Sequence, residues 1–256
     1  MSDPHEFPSP AITVTWSRRR CLHAAECLMR LPPVFEVGRK PWVEPANATA
    51  DAVARTIERC PTGALQYQRH DGGPAEQPAA ENHVLVGRNG PLWVRGAIEL
   101  VDANGQAVGR DTRVALCRCG QSQFKPWCDG SHNAARFRER GEVFDGRLDP
   151  PADSPGPLRI AARENGPLKL SGPFTLVSSD GRVKLVTSGT ALCRCGESAN
   201  KPFCDKSHER VGFVAPPIGA AAAGGSASSP AGAAEVLEPA GPSGPSSRPE
   251  GGEARS

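Results

Sequence analysis

Short apolar runs recur through the middle of the chain at spacings that suit strands. Val84–Val86 and Leu92–Arg95 alternate in and out on either side of "RNGP", and Ile98–Asp102 forms a third such run, closed by Asn104-Gly105. Alternation with period two predicts half-buried strands, and Asn-Gly predicts a hairpin because both residues tolerate positive φ. The pattern then repeats. "NGPLWVRGAIELVDANGQAVGRDTRVALCRCG" begins at Asn89 and "NGPLKLSGPFTLVSSDGRVKLVTSGTALCRCG" begins at Asn165, with Asp180-Gly181 at the matching turn. The offset is 76 residues without a gap from Asn89 to His132, which predicts a tandem duplication. A short helical stretch is expected after each repeat, better developed in the first ("HNAARFRERGEVF").

Residues 9–71 carry a different pattern. Ile12–Trp16 alternates like a strand, and Thr49–Cys60 reads as a helix with Thr49 or Asn47 as its N-cap and Val53 and Ile57 on one face. The expected organisation is therefore an N-terminal domain over 9–71, a linker over 72–81, repeat 1 over 82–145, a linker over 146–157, repeat 2 over 158–214, and an Ala/Gly/Pro/Ser-rich tail over 215–256. Such a tail cannot bury enough apolar surface to order itself.

Composition narrows the picture. Among 256 residues there are 28 Gly and 26 Pro, with aromatics at 5%. A large single core is not expected; small domains held by something besides core burial are. The net charge of +2 gives no pull toward nucleic acid. The start lacks an apolar signal region, and no run is long enough to span a membrane, so a cytoplasmic protein without a membrane anchor is expected.

The nine cysteines, at 21, 27, 60, 117, 119, 128, 193, 195 and 204, fall into three groups of three, each with a nearby histidine: His23, His132 and His208. In a reducing compartment such groups point to metal or redox chemistry rather than disulfides. "CRCGQSQFKPWCDGSH" runs from Cys117 to His132, and "CRCGESANKPFCDKSH" from Cys193 to His208. On extended chain the first two cysteines of each frame share a face, and the last cysteine and the histidine, four apart, share a face on a helical turn. Asp129 and Ser131 are placed to cap that turn. Three thiolates and one imidazole suit a tetrahedral zinc ion, and equally a [2Fe–2S] cluster with two ligands per iron.

The pattern C-x-C-x₂-S-x₃-P-x-C-D-G-S-H resembles the CDGSH, or mitoNEET-like, iron–sulfur family. The first copy matches at Cys117, Cys119, Ser122, Pro126, Cys128, Asp129, Gly130, Ser131 and His132; the second matches throughout except at Lys206, where the family has Gly. The resemblance implies two [2Fe–2S] clusters, one on Cys117, Cys119, Cys128 and His132, the other on Cys193, Cys195, Cys204 and His208. Single-motif members are homodimers with a shared β cap, so tandem motifs imply a monomer whose halves form an intramolecular pseudo-dimer about a pseudo-two-fold axis. Lys206 is expected either to make the two sites unequal, its charge favouring the reduced form of the second cluster and its loss of Gly disturbing the local turn, or to stand as a solvated surface lysine.

The segment from Thr15 to Tyr67 resembles the divergent single-cluster 4Fe–4S ferredoxin-like domains, through "CLHAAEC" and "CPTGAL". The implied ligands are Cys21, Cys27 and Cys60. Position 24, where an ordinary site has Cys, is Ala24. His23 is the candidate fourth ligand of a [4Fe–4S] cluster, the alternative being [3Fe–4S]. The fold class expected is α+β, built from small metal-stabilised domains. The function expected is electron transfer with a redox partner protein. The alternatives are cluster donation to an apo acceptor or redox, iron or pH sensing, and a structural zinc module. No nucleotide loop or nucleophile–base set suggests an enzyme. Arg118, Arg194, Lys125 and Lys201 flank the motifs, where they would either steer an acidic partner or offset cluster charge.

Overall fold

The computed structural model describes residues 4–144, 148–152 and 154–219. Most of the expected tail lies outside the described residues. Where it begins, however, the chain is packed: Ala215 and Ile218 are buried, and Ile218 joins the main core. The ordered chain thus runs past the boundary that composition suggested, because one isoleucine finds an apolar slot.

At the N-terminus, β1 (His5–Phe7), β2 (Ile12–Trp16) and β3 (Leu65–Arg69) form an antiparallel sheet with β2 in the middle. Between β2 and β3 lie α1 (Glu26–Arg30) and α2 (Ala50–Ile57). The α2 helix starts where Thr49 accepts a hydrogen bond from the Ala52 amide at 3.3 Å. It ends before Cys60, earlier than its apolar spacing suggested, and Cys60 sits in the following turn with its N–H on Ile57 O at 2.8 Å. Val53 and Ile57 are fully buried against Ile12, Val14, Val34 and Leu65. Each such side chain contributes about 1.5–3 kcal/mol of hydrophobic stabilisation.

The repeats build a larger sheet from β4 (His83–Val86), β5 (Leu92–Val101), β6 (Ala107–Leu116), β7 (Leu158–Ala162), β8 (Leu168–Val177) and β9 (Lys184–Leu192). Leu92–Arg95 and Ile98–Asp102, expected as separate strands, are one strand bent at Gly96. Gly96 has φ +136°, and a Cβ there would meet Asn82 Oδ1 at 2.2 Å. The buried Asn82 accepts from the Ala97 amide and donates to Gly156 O and Pro173 O, so it fastens the bend to the other repeat. β8 bends likewise between Ser171 and Phe174.

The bend lets each long strand serve both repeats. The first half of β5 pairs with β4, and its second half runs parallel to β7, with Glu99 opposite Arg159. In the same way β8 pairs with β7 and then, in parallel, with β4, with Thr175 opposite His83. The two parallel registers are equivalent under the repeat offset of 76 residues, which carries His83 to Arg159 and Glu99 to Thr175. Val84, Leu92, Ile98 and Leu116 from one repeat and Ile160, Leu168, Leu176 and Phe203 from the other enter one core. The low aromatic content suggested little core burial, but pooling two repeats provides it.

The segment 72–81, expected as a plain linker, is anchored by Glu76, which pairs with Arg113 of β6. Arg113 is 1% exposed and reaches into the N-terminal domain, donating to Cys60 O at 2.6 Å, Ile57 O at 2.8 Å and Leu65 O at 2.9 Å. In the other direction Arg20 pairs with Asp111 at 2.6 Å and donates to Arg113 O at 3.1 Å. Two guanidinium groups thus tie the N-terminal domain to repeat 1.

Candidate metal centres

The ligand pairs are set by how the chain leaves and rejoins the sheet. β6 ends at Leu116; the Cys117 amide donates to Pro126 O at 2.8 Å, and the Cys128 amide donates to Ala115 O at 3.0 Å. The intervening loop contains the cis peptide Lys125–Pro126. It is pinned by Ser122 Oγ on Trp127 O at 2.7 Å and Lys125 Nζ on Ser122 O at 2.6 Å. Ser198 and Lys201 make the same bonds in repeat 2, at 2.7 and 2.6 Å. These contacts give the motif's serine and proline a structural use.

Within this frame Cys117 Sγ and Cys119 Sγ are 3.8 Å apart, and Cys128 Sγ lies 3.4 Å from His132 Nδ1. In repeat 2 Cys193 and Cys195 are 3.7 Å apart, and Cys204 Sγ is 3.4 Å from His208 Nδ1. Among the described residues, no three His, Cys, Asp or Glu side chains stand together as a cage for a single ion. The donors are grouped two and two.

α3 (Ser131–Ala134) and α4 (Ser207–Arg210) are equal in length, so the helix is no better developed in repeat 1. Asp129 caps α3, accepting from the Ser131 amide at 3.0 Å and the Gln123 amide at 2.8 Å, while Ser131 donates its hydroxyl to Asp129 rather than capping itself. Lys206 holds the left-handed position of Gly130, at φ +68° against +88°, and the turn is kept. Its amide lies 3.4 Å from Cys204 Sγ. The expected disturbance at Lys206 is thus absent from the backbone.

The electrostatics favour bound positive charge. The hydrogen bond from Cys119 holds the Cys117 thiol down against the opposing effect of burial, with help from the amides of Ser122 and Gly120; Cys119, the donor, is pushed up. Cys193 and Cys195 behave alike. One proton therefore stays on each close thiol pair until a cation displaces it. Burial pushes Cys128 up to about 12. Burial also lowers His132 despite Asp129, with Arg118 adding to the effect, so the imidazole is kept in its neutral, ligating form. Amide N–H groups aimed at sulfur, with one readily ionised thiol in each close pair, fit an iron–sulfur cluster in each motif.

The two motifs touch back to back. A Cβ on Gly120 would meet Cys195 O at 2.2 Å, and one on Gly196 would meet Cys119 O at 2.5 Å. Arg118 and Arg194 are each 1% exposed, so they cannot steer a partner as an exposed pair would. Arg118 donates to Gly90 O and Gly87 O and pairs with Glu139; Arg194 donates to Gly166 O, Arg163 O, Ala215 O and Pro216 O. Each lies over a phenylalanine, Phe137 at 5.2 Å and Phe213 at 5.3 Å.

In the N-terminal domain Cys21, Cys27, Cys60 and His23 line one cavity of about 320 Å³, walled by Trp16 and Trp42. His23 and Ala25 have positive φ, +54° and +59°, which folds the loop around it. Burial pushes Cys27 up to about 11. None of the nine cysteines is joined in a disulfide. A mostly apolar chamber with three convergent thiols fits a cluster. Its rim rests on the first motif: Arg20 lies over the Trp127 ring at 4.9 Å, and a Cβ on Gly130 would stand 3.8 Å from Leu22 Cδ2. Arg20, Arg113, Trp127 and Glu139 were not singled out in the sequence. Only Arg118 and Arg194 left a signal, by recurring inside both motifs.

The model of the iron-binding zinc finger family of CDGSH type matches residues 89–133 and 165–209, and that of the divergent 4Fe-4S mono-cluster family matches 8–70. Over 62 residues, 24% of this chain and 82% of the relative, the chain is 33% identical to a protein named "Uncharacterized protein YjdI" from Escherichia coli K12. The same figures hold for its namesake in Escherichia coli O157:H7. No helix among the described residues is long and apolar enough to cross a membrane. The chain carries two iron-binding domains of CDGSH type in tandem behind a divergent 4Fe-4S mono-cluster domain, and is an iron–sulfur binding protein.

Proposed function

We propose that the protein is an electron carrier. In this reading Cys117, Cys119, Cys128 and His132 hold one [2Fe–2S] cluster, and Cys193, Cys195, Cys204 and His208 hold a second. Cys21, Cys27 and Cys60, with His23, hold a [4Fe–4S] or [3Fe–4S] cluster. The observation that carries it is the grouping of donors two and two in both motifs, with a third three-thiol cavity resting on the first. A pair of donors on each metal is what a two-iron centre needs, whereas a zinc site draws all four donors to one ion. Bound clusters would supply one-electron chemistry. The chain's own residues orient the sulfurs, cover them with amide N–H groups and exclude water. The parallel registers of β4 with β8 and β5 with β7 support an intramolecular pseudo-dimer, a monomer that needs no second copy to complete its cap. The partner is a soluble redox protein.

Cluster donation is the second reading, favoured by one observation. Cys117, Cys119 and Cys128 are buried, whereas His132 is partly exposed, so one candidate ligand can be reached from outside. Iron and acid-labile sulfide analysis with a visible spectrum, on anaerobically purified protein, tests the cluster assignment. About seven or eight irons per chain with matching sulfide is the expected result. A colourless protein holding zinc would sink both readings in favour of a structural zinc module.

His132→Cys is expected to hold the first cluster to lower pH than the parent. A histidine whose folded value lies below its ordinary one takes up its proton on leaving the folded site. Falling pH below about 6.5 therefore favours release, and the loss is absent above that value. The visible absorbance that remains after stepwise acidification reads this directly. Equal acid lability in parent and variant would remove His132 from the ligand set.

A further inference from the structure

The N-terminal domain meets repeat 1 where both carry candidate ligands, and the residues in contact are chain neighbours of those ligands. Arg20, just before Cys21, lays its guanidinium over the ring of Trp127, just before Cys128, at 4.9 Å. Leu22, just after Cys21, packs toward Gly130, which lies two residues from Cys128 and two from His132. A Cβ on Gly130 would stand 3.8 Å from Leu22 Cδ2, an ordinary van der Waals distance. Each chain step between these residues covers about 3.8 Å. Cys60 is held from the same side: Arg113, four residues before Cys117 on β6, donates to Cys60 O at 2.6 Å.

This seating is fixed in both directions. Arg20 is gripped by Asp111 at 2.6 Å and donates to Thr62 O and Arg113 O, each at 3.1 Å. Leu22 lines the same cavity as Cys21, Cys27, Cys60 and His23, so the side chain that reaches Gly130 is also wall of the N-terminal chamber. Repeat 2 turns the matching face to solvent. Lys206, in the place of Gly130, is exposed, and Cys204 is half-buried whereas Cys128 is 2% exposed.

We propose that Leu22 and Gly130 seat the N-terminal centre against the first motif site so that these two exchange an electron directly, the first site rather than the second being the partner of the N-terminal centre. One electron leaves the reduced cluster and enters the oxidised one; no bond forms or breaks, and no co-reactant is consumed. Electron exchange weakens steeply with separation, so ligand loops in van der Waals contact exchange first. The motifs meet each other through Gly120 and Gly196, which gives the electron a way onward to the second site.

The inference rests on the electron-carrier reading proposed above and is tested on the full, cluster-loaded chain. In the fully reduced protein, electron paramagnetic resonance should show the N-terminal signal broadened by spin–spin coupling. The broadening should survive Cys204→Ala, which removes the second cluster, and be lost in Cys128→Ala, which removes the first. Flash photoreduction with less than one electron per chain, followed by rapid freezing, should show the electron redistributing between the N-terminal and first-site clusters at a rate independent of protein concentration. Gly130→Lys puts the residue of repeat 2 into the same left-handed turn. It should keep the iron but displace Leu22, with loss of both the broadening and the concentration-independent phase. An N-terminal signal that ignores removal of the first cluster, or narrows only when the second is removed, overturns the proposal. So does a redistribution whose rate scales with protein concentration, or one that Gly130→Lys leaves unchanged. If Cys128→Ala does not fold, Gly130→Lys and the concentration dependence decide. Absence of cluster signals from the parent would instead count against the cluster assignment itself.

Discussion

Arg113→Ala is expected to lower unfolding stability by about 3–5 kcal/mol and to free the N-terminal domain from repeat 1. The guanidinium satisfies three backbone carbonyls, of Cys60, Ile57 and Leu65, and pairs with Glu76, in a place that is 1% exposed. Alanine removes a donor from all three carbonyls, although Ile57 O keeps the Cys60 amide and Glu76 keeps the Thr112 hydroxyl, and a buried unmet acceptor costs about 1–3 kcal/mol. Arg20, on Asp111 and Arg113 O, remains as a tie across the junction. Gly63 is packed so tightly that a Cβ would meet Arg113 O at 2.5 Å, so the junction cannot close over the gap by a small shift. Because one of the three carbonyls belongs to Cys60, a candidate ligand, the variant should also lose iron from the N-terminal site first. Denaturant midpoints and limited proteolysis within 72–81 measure the two effects. Arg113→Lys should recover little, since one ammonium cannot reach the spread of acceptors that a guanidinium spans. An unchanged midpoint in Arg113→Ala would mean that the junction contributes nothing to stability.

A comparable loss is expected from Gly120→Ala or Gly196→Ala. Each has positive φ, +77° and +87°, where a side chain is strained by about 1 kcal/mol or more. More serious is what the new methyl group would strike. At Gly120 it would stand 2.2 Å from Cys195 O, and at Gly196 it would stand 2.5 Å from Cys119 O. Both obstacles are backbone of the opposite motif, and neither can rotate away. The repeats would have to separate, so a cost of about 3 kcal/mol or more is expected, with both clusters lost together rather than one at a time. Iron per chain after purification and the thermal midpoint test this. Gly105→Ala, at a hairpin with φ +82° and nothing within 4 Å, isolates the backbone strain and should cost about 1 kcal/mol. If Gly120→Ala proved no worse than Gly105→Ala, the close approach of the motifs would carry no energetic weight.

The chemistry was more legible in the sequence than the architecture. Ligand pairs follow from local geometry. Two residues apart on extended chain, or four apart at a helical turn, the side chains must share a face, and Cys117 with Cys119 and Cys128 with His132 do so. Ile12–Trp16 and the Thr49 cap were legible for the same reason, since period and capping are properties of neighbours. Strand partnership is not such a property. Nothing around His83 says that Thr175 will lie opposite: a cap shared between the repeats was implied only by the family resemblance, and its register could not be read from local pattern. Leu92–Arg95 and Ile98–Asp102 read as two strands because the alternation is interrupted between them; Gly96, in the gap, instead bends one long strand. Arg113 was missed, and the burial of Arg118 and Arg194 was not foreseen, because arginine is almost always found at the surface, and only the carbonyls around them make burial tolerable.

The exchanged strands also order events in time. A chain emerging from the ribosome completes β4, β5 and β6, and then Cys117 to His132, before any of β8 exists. Yet β4 pairs with Thr175–Val177, and Gly120 rests on the carbonyl of Cys195. The first motif therefore waits, its sulfurs on an open sheet, until the second has been synthesised. Domains that fold as units can be finished one after the other during translation; these two can only be finished together. Iron delivered to the nascent chain would meet the candidate ligands without their walls, so cofactor loading is expected to follow translation.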